Sequence, residues 1–326
     1  MSRSSIHHTI RRRMELFITT FESVAVLLGI GVIGFWIIRT RVVPEKAIGV
    51  LSPLALEIAL PSLIFVNILM NFSPQESPDW WLLPLWWLVF TALAAVLTAI
   101  SMFLAKKSIR REFAITLFYQ NGLFFPLGIL AGMFGGDSIY LVYLFLFALF
   151  YPAFFFSTYP LFFGKKEHRL QWRKIVHPVL IATLLAVGLR YFGVQDYVPT
   201  LVISILQLLG AMSIPLVMII LGGNIYIDFH KKGTVFTTEI VKFVLLKNIV
   251  FPLVFLGVLI LVRPVYSVAL ILLLQSAVPP VTAVPLVTER AGGNRAIVNQ
   301  FVVASFVSSL VTIPVMVMLF SLLFTP

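Results

Sequence analysis

Two apolar stretches of this chain carry amides, hydroxyls and prolines where a membrane helix would carry aliphatic side chains. The first reads Gln120-Asn121-Gly122-Leu123-Phe124-Phe125-Pro126. The second reads Gln275-Ser276-Ala277-Val278-Pro279-Pro280-Val281-Thr282. Proline removes a backbone donor and clashes with the preceding turn, and glycine weakens a helix, so each stretch predicts a broken helix. A break inside an apolar medium leaves backbone groups that protein, water or substrate must satisfy. The positive N-terminal end of a half-helix suits a carboxylate, and freed carbonyls suit a cation. Gln120, Asn121, Gln275, Ser276 and Thr282 add polar side chains beside the breaks, and Pro126, Pro279 and Pro280 shape them. One such helix reads as a kink held by interhelical hydrogen bonds. Two in matching places read as a binding site.

Glu57 is a separate candidate. It lies about 16 Å into its apolar run at the rise of an α-helix. An ionisable group at that depth is a functional hypothesis by default. Glu57 could carry a coupling proton, or it could be a neutral, hydrogen-bonded carboxyl that packs helices, and the residues leave both open. Lys247, about 12 Å into its run, is expected to snorkel back to the interface. Lys242 and Glu22 are expected in solvated positions nearer the interfaces. Asn67, Asn71, Asn224 and Asn248 are read as structural, and Trp80, Trp81, Trp86 and Trp87 as an interfacial aromatic belt. No histidine pair has zinc-ligand spacing, and there is no HExxH, GxSxG or P-loop pattern. Neither metal nor cofactor is therefore expected, nor enzymatic activity.

The elements that position these residues follow from composition. Of 326 residues, 60% are hydrophobic and only 11% charged, and the mean hydropathy is +1.02. Soluble domains carry about 25% charged residues, so soluble enzymes, nucleic-acid modules and disordered chains are excluded. What remains is an all-α polytopic membrane protein. Ten segments are long and apolar enough to span a bilayer, near 15–38, 47–70, 80–104, 112–134, 139–163, 177–193, 198–224, 239–262, 267–289 and 296–323. The net charge of +11 is concentrated in short loops, and cysteine is absent. Basic residues cluster after odd-numbered spans, as at Lys106, Lys107, Arg110 and Arg111, and at Lys165, Lys166, Arg169, Arg173 and Lys174. By the positive-inside rule those loops face the cytoplasm and both termini face out. Arg11, Arg12 and Arg13 oppose this assignment. Residues 1–13 are therefore read as an extension, with Met14 the working start or with the extension an interfacial cap.

The two halves share punctuation. Pro84 in the third span is matched to Pro252 in the eighth, Pro61 in the second to Pro215 in the seventh, and Pro126 to Pro280 in the broken fourth and ninth. Five spans per half insert the halves in opposite directions, the arrangement of inverted-repeat carriers. The expected organisation is 14–163 as the first five-helix repeat, 164–176 as a cytoplasmic loop and 177–326 as the second.

The chain resembles the auxin efflux carrier family. The resemblance rests on LSPLALEIALPSLIF (51–65), LFYQNGLFFPLGILAGMFGG (117–136), SIPLVMIILGGNI (213–225) and the long block from Gln275 to Val315. It implies ten helices in two inverted repeats of five, similar to the bile acid–sodium symporters, with the fourth and ninth unwound and crossing at mid-membrane. The short central loop matches the compact prokaryotic kind. The resemblance also implies a small organic anion substrate bearing a carboxylate. The sodium-binding residues of the bile acid symporters do not map onto this sequence. The expected function is a secondary carrier in the plasma (bacterial inner) membrane, working by alternating access. A sodium-coupled carrier of the bile acid type and a membrane receptor for an organic anion are the alternatives. Expected partners are the substrate, the lipid bilayer and a proton or sodium as coupling ion, with homodimerisation open and no nucleic acid.

Overall fold

In a computed structural model, residues 3–164, 177–229 and 236–325 are described, the first eleven of them as backbone only. Most of the basic loop expected at 164–176 lies outside the described residues. The fold is all-helical, and no strand is present among the described residues. The helices are α1 (Arg3–Arg39), α2 (Glu45–Asn71), α3 (Trp80–Leu104), α4 (Arg110–Phe118), α5 (Phe124–Phe134) and α6 (Ile139–Phe163). They continue as α7 (Pro178–Tyr191), α8 (Thr200–Ile227), α9 (Thr237–Val262), α10 (Tyr266–Ala277), α11 (Val284–Arg290) and α12 (Arg295–Leu323). Seven of them are long and apolar enough to cross a membrane, and α5, α7 and α10 are shorter apolar helices. The helix boundaries lie within a few residues of those expected from hydropathy. The exceptions are α1, which begins at Arg3 and so runs as helix through most of the segment read as an extension, and the expected fourth and ninth spans, each divided into two arms: α4 with α5, and α10 with α11.

The helices interleave instead of packing in sequence order. Helix α1 lies against α8, α12 and α5, and α2 against α7 and α8. Glycine sets the α1–α8 distance. A Cβ on Gly222 would sit 1.7 Å from the carbonyl oxygen of Gly31, and one on Gly34 would sit 2.3 Å from that of Ile219. In a bilayer, where lipid is as apolar as leucine, such close backbone approach is a main source of helix association.

Polar contacts tie the helix ends together. Glu239, at the start of α9, is 1% exposed. Its carboxylate accepts from Lys106 N at 3.3 Å and pairs with Lys242 Nζ at 2.9 Å. Lys242 is thus paired, though still partly exposed, where a purely solvated role was expected. Glu112 on α4 accepts from Asn294 N at 2.9 Å, just before α12. Asn67 donates to the Gly136 carbonyl at 2.8 Å, in keeping with a structural role.

Three expectations change. The tryptophans do not form one belt: Trp81 is 55% exposed, but Trp87 is 3% exposed and packs edge-on against Phe154 of α6. Pro84 sits in the first turn of its α-helical segment, where a missing N–H costs little. Pro61 and Pro252 are the alike pair, since each directly follows a π-helical turn, Leu54–Ala59 or Leu245–Val250. The proline correspondence read between the halves is therefore only partly visible in backbone geometry.

Candidate functional site

The two broken helices meet. Between α4 and α5 the chain is non-helical over residues 119–123, and between α10 and α11 over 278–283. Gln120 and Pro280 form an isolated antiparallel bridge. Asn121 N donates to Pro279 O at 2.7 Å, and Val281 N donates to Tyr119 O at 2.9 Å. These bonds flank the Gln120–Pro280 pair, so Pro280 occupies the position of an antiparallel pair that needs no N–H. Proline thus breaks the helix without costing the bridge a hydrogen bond.

Side chains lock the meeting point. Gln275 Nε2 donates to Gly122 O at 2.5 Å, and Gln120 Nε2 donates to Gln275 Oε1 at 3.4 Å. Gly122 permits this approach, because a Cβ there would lie 2.6 Å from Gln275 Oε1. The Tyr151 hydroxyl of α6 donates to the Gln120 carbonyl. The freed carbonyls of the first break are therefore largely taken by protein donors. Beside Gln120, the cleft between α3 and α6 leaves no room for water.

Asn121 stands apart from this network. It is 1% exposed, and neither its Nδ2 nor its Oδ1 has a hydrogen-bond partner among the described residues. A buried amide left so is costly, and such groups call for an explanation such as a ligand or water. Three residues later α5 begins, and its N-cap residue, Leu123, provides no side-chain cap.

The other expected residues divide. Ser276 is fully buried, and its hydroxyl donates back to Leu273 O at 2.7 Å within α10. Pro279 and Pro280 lie buried in the second break, and Thr282 is half-buried two residues further on. Pro126 is not inside the first break but buried in the first turn of α5, so it bounds the break. Glu57 is remote from this group. It projects exposed from the π-helical turn of α2, close enough to His177 before α7 for its charge to act on the imidazole.

One residue escaped the sequence reading and another was read differently. Tyr151 closes the Gln120 carbonyl, and its place in an apolar run was the available signal, since a buried tyrosine hydroxyl seeks a partner. Lys247 does not snorkel: it is 2% exposed, inside the bundle.

The comparisons with known proteins agree with this architecture. A family model described as "Membrane transport protein" matches residues 19–171 and again 165–317. An uncharacterized transporter of Methanocaldococcus jannaschii is 23% identical over 207 residues, 62% of this chain and 67% of that protein. The second match of the family model begins near the middle of the chain and includes the second break, as the first includes the first. The chain belongs to this membrane transport protein family, the auxin efflux carrier family whose motifs it carries.

Proposed function

We propose that the chain is a secondary carrier that moves a small organic anion, bearing a carboxylate, across the plasma membrane by alternating access. Ten membrane crossings in two inverted sets of five, with the basic loops in the cytoplasm, are the topology that goes with this reading. The observation that carries it is Asn121: a fully buried amide without a partner, where two broken helices meet and just before the N-terminal end of α5. An amide N–H and a helix N-terminus both favour a carboxylate. Gln120, Gln275, Pro279 and Pro280 hold that geometry, and Ser276 and Thr282 border it. The family supports transport; the anion comes from the family resemblance and is supported by the amide and the helix N-terminus at the site.

Reconstitution into liposomes tests the proposal. Purified protein should take up labelled mono- or dicarboxylates, benzoate and succinate first and indole acetate for the family resemblance. Uptake should saturate and respond to an imposed proton or sodium gradient. Liposomes that accumulate none of these above protein-free controls would remove the proposal.

A further inference from the structure

Lys247 is an ionisable group placed inside the bundle with nothing of opposite sign beside it among the described residues. It is 2% exposed and ranks with the phenylalanines as one of the largest fully buried side chains. Among the described residues its Nζ makes no hydrogen bond or ion pair, and its polar contact is the face of Phe251, 5.6 Å from the ring centroid. It rides on the π-helical turn Leu245–Val250, a distortion frequent at functional sites. The neighbouring Asn248 pins that turn to α12: its Nδ2 donates to Ser305 O at 3.0 Å, and its Oδ1 accepts from Ser305 Oγ at 2.7 Å.

The turn is level with the meeting point. Helices α9 and α10 are joined at one end by a short connection, residues 263–265. From there Lys247 is about 22 Å back along α9 by helical rise. The second break is reached after about 17 Å of α10 and a few extended residues, which brings Val278–Pro280 to the same depth. The turn also packs directly on α10 and α12.

The ionisable groups on the elements around it are engaged elsewhere. On α9, Glu239 is about 12 Å away along the helix and pairs with Lys242. On α10, Tyr266 is at the opposite end and contacts Phe320. On α12, Arg295 is about 15 Å from the level of Ser305 and pairs with Glu289.

We infer that Lys247 is the site at which a proton binds together with the transported anion. The inference rests on the carrier reading above. An ammonium enclosed here without a counter-ion is expensive, and so is a lone carboxylate at the meeting point. Bound together they offset each other, so each raises the affinity for the other. The neutral amine takes a proton from water on the loading side, forming an ammonium opposite the arriving carboxylate. On the other side the carboxylate leaves and the ammonium returns the proton to water. A monocarboxylate such as benzoate then crosses with no net charge beyond that of the empty protein, and a dicarboxylate with one negative charge.

Measure benzoate and succinate binding and proton uptake in weak buffer, for parent, Lys247→Met and Lys247→Arg. The parent should take up about one proton per anion, and its affinity should fall by up to about tenfold per pH unit as pH rises. Lys247→Met should lose most of the affinity and all of the proton uptake. Lys247→Arg, permanently charged, should bind but without proton uptake or pH dependence. A Lys247→Arg protein with parental proton uptake overturns the inference. Should neither probe bind the parent, the carrier reading fails, and a second measurement decides Lys247 alone. In ¹⁵Nζ-lysine-labelled protein in bilayers, the resonance lost in Lys247→Met should be that of a neutral amine at a pH where surface lysines are still ammonium. A resonance that is still ammonium at that pH overturns the assignment.

Discussion

The two breaks that meet at Gln120 and Pro280 are built differently. The second contains Pro279 and Pro280, so the backbone there lacks two donors and cannot form a helix. The first contains no proline between Tyr119 and Leu123, and Pro126 comes only after α5 has begun. What keeps the first break open is tertiary: Val281 N on the Tyr119 carbonyl, the Tyr151 hydroxyl on the Gln120 carbonyl and Gln275 Nε2 on the Gly122 carbonyl. One break is written into its own sequence and serves as a template for the other. Gln275 and Ser276 beside the template are hydrogen-bonded, while the templated break holds the unpartnered Asn121. Structure is thus concentrated at Gln275 and the prolines, and free binding capacity at Asn121.

This division predicts separable mutants. The largest effect belongs to Gln275→Ala. It leaves the buried Gly122 carbonyl and Gln120 Nε2 without partners, each at about 1–3 kcal/mol. Thermal unfolding should shift down and transport should be lost with it. Equal stability in Gln275→Ala and the parent would show that the first break keeps itself open.

Asn121→Ala is the complement. It removes no protein hydrogen bond, so the melting temperature should not fall. The lost bond to a carboxylate is worth about 1.5–3 kcal/mol, a ten- to hundredfold weaker affinity. A variant that melts early yet binds the anion like the parent would reverse the division. Pro280→Ala should be milder in stability, about 0.4–1 kcal/mol through the freer unfolded chain. Its added N–H points away from the Gln120 pairing, so the bridge persists and turnover, measured against binding, should be the quantity that drops. Parental turnover would show that the second proline is dispensable to the template.

The same contrast explains what the sequence could disclose. Proline and hydropathy are local signals, so the helix edges and the second break were legible. The first break, expected over Gln120–Pro126, starts where expected but ends before Pro126, and what holds it open, Gln275, Tyr151 and Val281, is distant in the chain. The α1–α8 approach is equally hidden: Gly31 and Gly222 are ordinary glycines until the fold brings them together. The π-helical turns show the limit most plainly. Each puts an ionisable group in an apolar run before a proline, yet Glu57 ends up exposed and Lys247 enclosed. Depth along a helix is countable from sequence, but the direction a side chain faces around a locally unwound turn is not.

The smallest effect expected comes from Glu57→Gln, and it tests that last difference. Glu57 is exposed, so removing its charge should change stability by no more than about 0.5 kcal/mol, as for most exposed substitutions. It does lie in the field of His177, at the start of α7, and loss of that interaction falls within the same margin. If the proton is carried by the enclosed Lys247, Glu57→Gln liposomes should still accumulate anion against its gradient when a proton gradient is imposed. If Glu57 carries it, proton-driven accumulation should vanish while exchange of internal for external substrate continues. The two measurements are made on the same vesicles, so the outcome does not depend on how much protein inserts. Loss of accumulation with retained exchange would give the coupling role to the exposed carboxylate, and enclosure would cease to mark the coupling group in this fold.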